Sequence, residues 1–261
     1  ISLSRHLCFC LNSGEHYRTL MDSVEDRLRA WADKYECSAF IKNDPIQFPH
    51  RYSSKQDIEI SAFLTAWISY GNRKCIVKKA DELDEMMGHS PYDFIRGGGF
   101  LSWKDDKRSF YRFYKYSDLY ALCSRIQTIY VQNKDLETAL LAVNEMDPIR
   151  KLQMLFVGIK GIPALNGNSA CKRLCMFLRW MVRQNSPVDL GIWKTISPSC
   201  LLIPLDVHVY NKAIELGHTK RRSQDRKTAE EITSCFELLF PEDPAKGDYA
   251  LFGEDINHAS K

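Results

Sequence analysis

Apolar residues in this chain recur every third or fourth position and almost never every second, a spacing that suits helices buried along one side. Val24, Leu28, Trp31 and Tyr35 form such a stripe over residues 24–35. Residues 57–70 carry Ile58, Ile60, Ala62, Phe63, Leu64, Ala66, Trp67 and Ile68, apolar on every side, so this helix belongs inside the molecule. Gly71 then ends it, as a left-handed residue at a helix C-terminus does. The same spacing predicts helices over 74–87, 118–132, 136–145, 203–216, 228–240 and, briefly, 248–252. Asn168 or Ser169 is placed to cap another that runs through Arg183. Gly88, Ser90 and Pro91 read as a turn, Gly97 to Gly99 as a break, and Asp147-Pro148 as the end of a helix. Residues 184–200, with Pro187, Gly191 and Pro198, read as an irregular segment. The expected fold class is therefore all-α.

At 261 residues the chain can bury one large core or two small helical lobes, and 44% hydrophobic with 26% charged residues is an ordinary globular mixture. No window approaches the ~18–20 continuous apolar residues of a membrane helix, and Cys8-Phe9-Cys10-Leu11 is too short for the core of a signal peptide. The first methionine is Met21, so residues 1–20 are read as an upstream extension outside the fold, and 21–261 as one helical domain. Nine cysteines, odd in number and without a regular framework, point to a reducing, cytoplasmic setting. Cys171 and Cys175 lie one helical turn apart, but no pair has Cys-x-x-Cys spacing, so buried thiols are a simpler reading than a metal.

The net charge of +3 is unevenly spread. Residues 151–229 hold 13 basic and 4 acidic side chains, net +9, whereas 230–261 hold 2 and 8, net −6. A basic block of this size suits a phosphate backbone, and equally a solvated helix face.

The most informative stretch is Ile203-Pro204-Leu205-Asp206-Val207-His208-Val209, leading into a helix. A carboxylate there is held as the anion by exposed backbone N–H groups and the helix dipole, and taken alone it is an ordinary N-cap. The segment resembles the Pro-x-Asp-x-His run of the helix-hairpin-helix (HhH-GPD) DNA glycosylase superfamily, a two-lobed all-helical fold with a cleft between the lobes. That resemblance implies that Asp206 faces an extruded nucleotide, and that His208 lies on the DNA side. Asp57 to Arg73 is similar to the early helix of that superfamily, whose following loop fills the gap left by the extruded base; here the loop is Tyr70-Gly71-Asn72-Arg73. Asn72 can bond the orphaned base, Tyr70 can stack and Arg73 can reach a phosphate, or the loop is a plain helix terminus with solvated side chains. Asp248 to Gly253 resembles the closing helix under the active site. The runs Cys171 to Leu174, Met176 to Arg183 and Val188 to Trp193 are similar to an uncharacterised bacterial domain-of-unknown-function branch of the superfamily.

Several features depart from the superfamily pattern. Gly161 and Gly167 have five residues between them, more than the usual hairpin spacing, so the phosphate-binding turn is longer or remodelled, with Gly161, Gly167, Asn168 and Ser169 as its candidate residues. The position that carries a Schiff-base lysine in bifunctional members falls on Ser169; Lys172, one turn further, either takes that part or contacts phosphate or solvent. Trp193, in the 184–200 segment, either stacks on a base or covers the core. Only Cys235 lies beyond residue 200, so the iron–sulfur ligand set of some relatives is missing and no cofactor is expected. Arg173, Arg179, Arg183 and Lys220-Arg221-Arg222 are the expected backbone-holding cations. The expected activity is monofunctional base excision at Asp206 on double-stranded DNA. A DNA-binding protein without catalysis and a helical module for an acidic protein partner are the alternatives.

Overall fold

The computed structural model describes the backbone of residues 14–259 and the side chains of residues 24–253. Its described residues are mostly helical: α1 (Gly14–Tyr35), α2 (Lys55–Ile68), α3 (Arg73–Met86), α4 (Pro91–Gly97), α5 (Tyr116–Gln132), α6 (Leu136–Leu141), α7 (Pro148–Leu155), α8 (Lys172–Val182), α9 (Val207–Glu215), α10 (Arg226–Glu237) and α11 (Gly247–Ala259). A small antiparallel hairpin, β1 (Ser109–Tyr111) and β2 (Tyr114–Lys115), precedes α5. No described helix is long and apolar enough to cross a membrane. Of the extension expected over residues 1–20, residues 1–13 lie outside the described residues and the remainder opens α1.

Two helices with apolar residues on every side anchor the larger of two buried clusters. From Ile58 to Ile68 every residue of α2 is buried, as is every residue of α8 from Leu174 to Val182. Phe63 joins them, stacking on Phe156 at 4.1 Å and meeting Phe177 edge-on at 5.1 Å. Such ring pairs contribute roughly 0.5–1.5 kcal/mol beyond the area they bury. Ser54 starts α2 by accepting the Asp57 N–H at 3.1 Å, and Gly71, at φ +91°, turns the chain after it. The smaller cluster gathers α1, α9, α10 and α11 around Leu28, Ile203, Val209, Ile232, Phe236 and Leu251.

Three local expectations are corrected, and the open reading of Trp193 is settled. Asp147-Pro148 opens a helix instead of ending one: Asp147 caps α7 by accepting the Ile149 N–H at 2.9 Å, and proline at the first helical position lacks only an N–H that has no helical partner anyway. Ser90 and Pro91 likewise begin α4, which Gly98 closes in the left-handed region. The helix expected from Asn168 or Ser169 starts later, at Lys172, because both residues are drawn across to α10. The Asn168 amide donates to Asp225 at 3.0 Å, and Ser169 pairs with Asp225 in an isolated bridge. Trp193 is fully buried and donates its indole N–H to Glu59 at 2.6 Å, so the 184–200 segment covers the core and offers no ring to a base.

The interior also holds a charged hub. Arg179 is 4% exposed and Arg183 is 2% exposed. Asp189 lies against both, 3.3 Å from Arg179 Nε and in a short ion pair with Arg183, and it accepts the Tyr249 hydroxyl at 2.9 Å. Asp248 pairs with Arg179, and Asp243 takes Arg183 at 2.7–3.0 Å. Both arginines were expected on a DNA backbone; burial and carboxylate partners on every side keep them from it.

Candidate active site

The pocket of most consequence, about 490 Å³, lies where the N-termini of α8 and α9 meet the end of α2. That volume falls within the ~300–1,000 Å³ usual for small-molecule sites. Its apolar wall is Phe63, Trp67, Ile76 and Phe177, and its polar wall includes Asp206, Lys172, Ser169, Tyr70 and His208.

Asp206 reaches this wall because the chain enters α9 extended, with the Ile203 N–H tied to Thr233 Oγ1 at 3.1 Å. One carboxylate oxygen accepts the His208 and Val209 N–H groups at 3.0 and 3.1 Å. The other lies 3.8 Å from Lys172 Nζ, in the first turn of α8. The positive end of α9 and an ammonium thus converge on one carboxylate, which is 20% exposed. The preceding residue, Cys171, holds a left-handed conformation at φ +52° that sets where α8 starts.

Gly161 and Arg173 shape the floor. At φ +88°, Gly161 sits so close to Tyr114 that a Cβ would lie 1.9 Å from its hydroxyl oxygen. The Arg173 guanidinium donates to the Gly161 carbonyl at 2.7 Å and to the Trp67 carbonyl and Tyr114 hydroxyl at 2.6 Å. It is a clamp within the fold, which corrects its expected place on a phosphate. Gly167 and Asn168 do not line the pocket, and the Gly167 N–H is taken by the Ala164 carbonyl at 3.0 Å. No continuous phosphate cradle therefore forms along 161–169. Asn72 caps α3, its oxygen accepting the Lys74 and Cys75 N–H groups at 2.9 and 3.4 Å. Arg73 lies over the Phe252 ring at 4.9 Å, and His208 meets the same ring edge-on. Arg221, of the Lys220-Arg221-Arg222 cluster, pairs with Asp225 at 2.8 Å beyond the far end of α9.

Behind the Lys172–Asp206 pair lies a chamber of about 60 Å³ lined by Asp44, Arg179 and Asp248 among others. Burial raises the Asp44 carboxyl, against the pull of Arg73. Burial lifts Asp248 to about 6, Arg179 pulling it down and the charge of Asp206 pushing it up. No periodicity marked Asp44; Asp248 opened the stretch read as the closing helix. Between about pH 4 and 6 the folded chain therefore keeps a proton that the unfolded chain has lost, so this group's stabilisation falls as pH rises through that window and is flat above it. Relative to Asp248→Asn, the wild type is expected to lose on the order of 2–3 kcal/mol across it in urea titrations. Parallel curves for the two proteins would show that Asp248 stays ionised throughout.

Among the described residues, no group of three or more His, Cys, Asp or Glu is placed to hold a metal ion. No curated protein and no solved structure matches the chain. A family model, described as a protein of unknown function (DUF2400), matches residues 44–257. With most of its length inside that match, the chain belongs to the DUF2400 family.

Proposed function

We propose that this protein is a monofunctional DNA N-glycosylase of the helix-hairpin-helix (HhH-GPD) type, which draws a damaged base into the pocket and hydrolyses its glycosidic bond at Asp206. The observation that carries this reading is a carboxylate fixed at a helix N-terminus on the wall of an aromatic-lined pocket of about 490 Å³. The Pro204-x-Asp206-x-His208 resemblance supports it.

As the bond from C1′ to the base nitrogen breaks, its electron pair leaves with the base and positive charge builds on the deoxyribose. Asp206 offsets that charge without reorganising, because α9 already holds it. Water then adds at C1′, its hydroxyl staying on the sugar and its proton passing to the departed base. Lys172, 3.8 Å away, positions the carboxylate and presents positive charge to the flanking phosphate. Trp67 and Tyr70 line the pocket that would receive the base.

The surface that would meet DNA differs from the basic block counted in sequence, since Arg179 and Arg183 are internal and Arg221 and Arg226 are paired with carboxylates. Of the cations left, Arg112 lies over the ring of Tyr70, a pocket residue, at 5.3 Å. Purified protein given duplexes with oxidised, alkylated, deaminated or mismatched bases is expected to release one class, leaving an abasic strand that alkali cleaves. Binding without release from any of them would leave a DNA-binding protein only. No DNA binding even at low salt would favour an acidic protein partner.

A further inference from the structure

The β1–β2 hairpin stands beside the pocket mouth, and its two-residue tip is Arg112-Phe113. Phe113 is 52% exposed. It stacks on Tyr70, itself a pocket residue, at 4.5 Å and 27°. Tyr114 in turn stacks on Trp67 at 3.8 Å, so two neighbouring ring pairs run from the surface to the pocket wall.

The tip is held rigidly from three sides. Arg112 adopts φ +54° and packs so tightly over Gly71 that a Cβ there would lie 2.4 Å from its guanidinium. The same guanidinium sits over the Tyr70 ring at 5.3 Å. The Phe113 carbonyl accepts Lys160 Nζ at 2.6 Å, and Lys160 also pairs with Asp118. An exposed aromatic ring is therefore presented in one orientation, between cations, next to a cavity of nucleotide size.

We infer that Phe113 wedges its exposed face and edge against the base stack of a duplex beside the space a base vacates when it turns into the pocket, its other face staying on Tyr70. This rests on the DNA reading above. Extruding a base costs its stacking on both neighbours, and an aromatic side chain is the group that best restores such contacts whatever the sequence. Arg112 and Lys160 flank the ring where phosphates would lie. Asn72, the side chain that sequence offered for this gap, already spends its oxygen capping α3.

The test uses the full chain and two labelled duplexes: one intact, and one carrying a tetrahydrofuran abasic analogue opposite 2-aminopurine. Wild type is expected to prefer the abasic duplex and to change the 2-aminopurine fluorescence on binding. Phe113→Ala should stay folded, losing no more than the roughly 0.5–1.5 kcal/mol of its ring pair with Tyr70, and bind intact duplex equally, yet lose about tenfold of the preference and most of the fluorescence change. Phe113→Trp should keep both. If Phe113→Ala retains both signals while Asn72→Ala loses them, the hairpin is not the inserting element and the DNA reading survives. Equal wild-type affinity for the two duplexes overturns the insertion as well. A wild type that binds neither duplex removes the DNA reading itself, and the inference with it.

Discussion

Asp189→Ala is expected to lose about 3–5 kcal/mol of stability, enough to leave little folded protein in a domain whose whole margin is about 5–15 kcal/mol. Asp189 is buried and, among the described residues, is the one carboxylate that pairs with both Arg179 and Arg183, and it accepts the Tyr249 hydroxyl besides. Truncation leaves two guanidiniums in the interior with a carboxylate fewer between them, and strands a tyrosine hydroxyl. Asp243 and Asp248 still balance one arginine each, which keeps the loss short of two orphaned charges. Asp189→Asn, preserving shape and one acceptor, should fall between wild type and Asp189→Ala. Urea unfolding followed by circular dichroism gives the answer directly. An Asp189→Ala midpoint within about 1 kcal/mol of wild type would mean that this hub is solvated or easily rearranged.

The second large effect falls on activity. Asp206→Asn should reduce base release by about 10²–10³-fold, the order seen when one fixed group facing a developing charge is removed. Asparagine caps helices nearly as well as aspartate, so the stability of Asp206→Asn should stay within a few tenths of a kcal/mol of wild type, whereas Asp206→Ala also loses the cap, about 1 kcal/mol. That separation is the informative part: a residue serving only to start α9 would show the Ala loss in melting and no Asn loss in turnover. Single-turnover release from the duplex that wild type prefers, run beside a thermal melt, separates the two. Equal rates for wild type and Asp206→Asn would reduce Asp206 to a cap.

Long amphipathic or wholly apolar helices were readable from sequence because their pattern is set by burial itself. Residues 57–70 and 74–87 map onto α2 and α3 within two residues at every end. Short elements were not readable. Three- and two-residue strands cannot display a two-residue period, and the Pro-led starts of α4 and α7 look like terminations when proline is taken only as a breaker. At the site, the Asp206 segment, Lys172, Ser169 and Tyr70 lie on one pocket although they come from three separate parts of the chain. Arg179 and Arg183 went astray because counting charges carries no information about depth. Their partners Asp189, Asp243 and Asp248 are spread over 60 residues, and only folding brings them together. Phe113 drew no notice for a similar reason: one aromatic among many, it matters through where its turn points it.

The Lys172–Asp206 pair is a link between the two interiors at the pocket wall, as the Arg179–Asp248 pair is a link deeper in. Lys172 is rooted through α8 in the larger apolar cluster, and Asp206 through α9 in the smaller. Their 3.8 Å spacing therefore gauges how the two interiors sit against each other. Close-packed interiors transmit small displacements, and a shift of about 1 Å at reacting groups can slow a reaction about 10²-fold. Space opened at Met181 on one side or Phe236 on the other, neither of which lines the pocket, would loosen that alignment well before the molecule melts. Damage far from the pocket would then surface first as lost turnover in a protein that still looks intact.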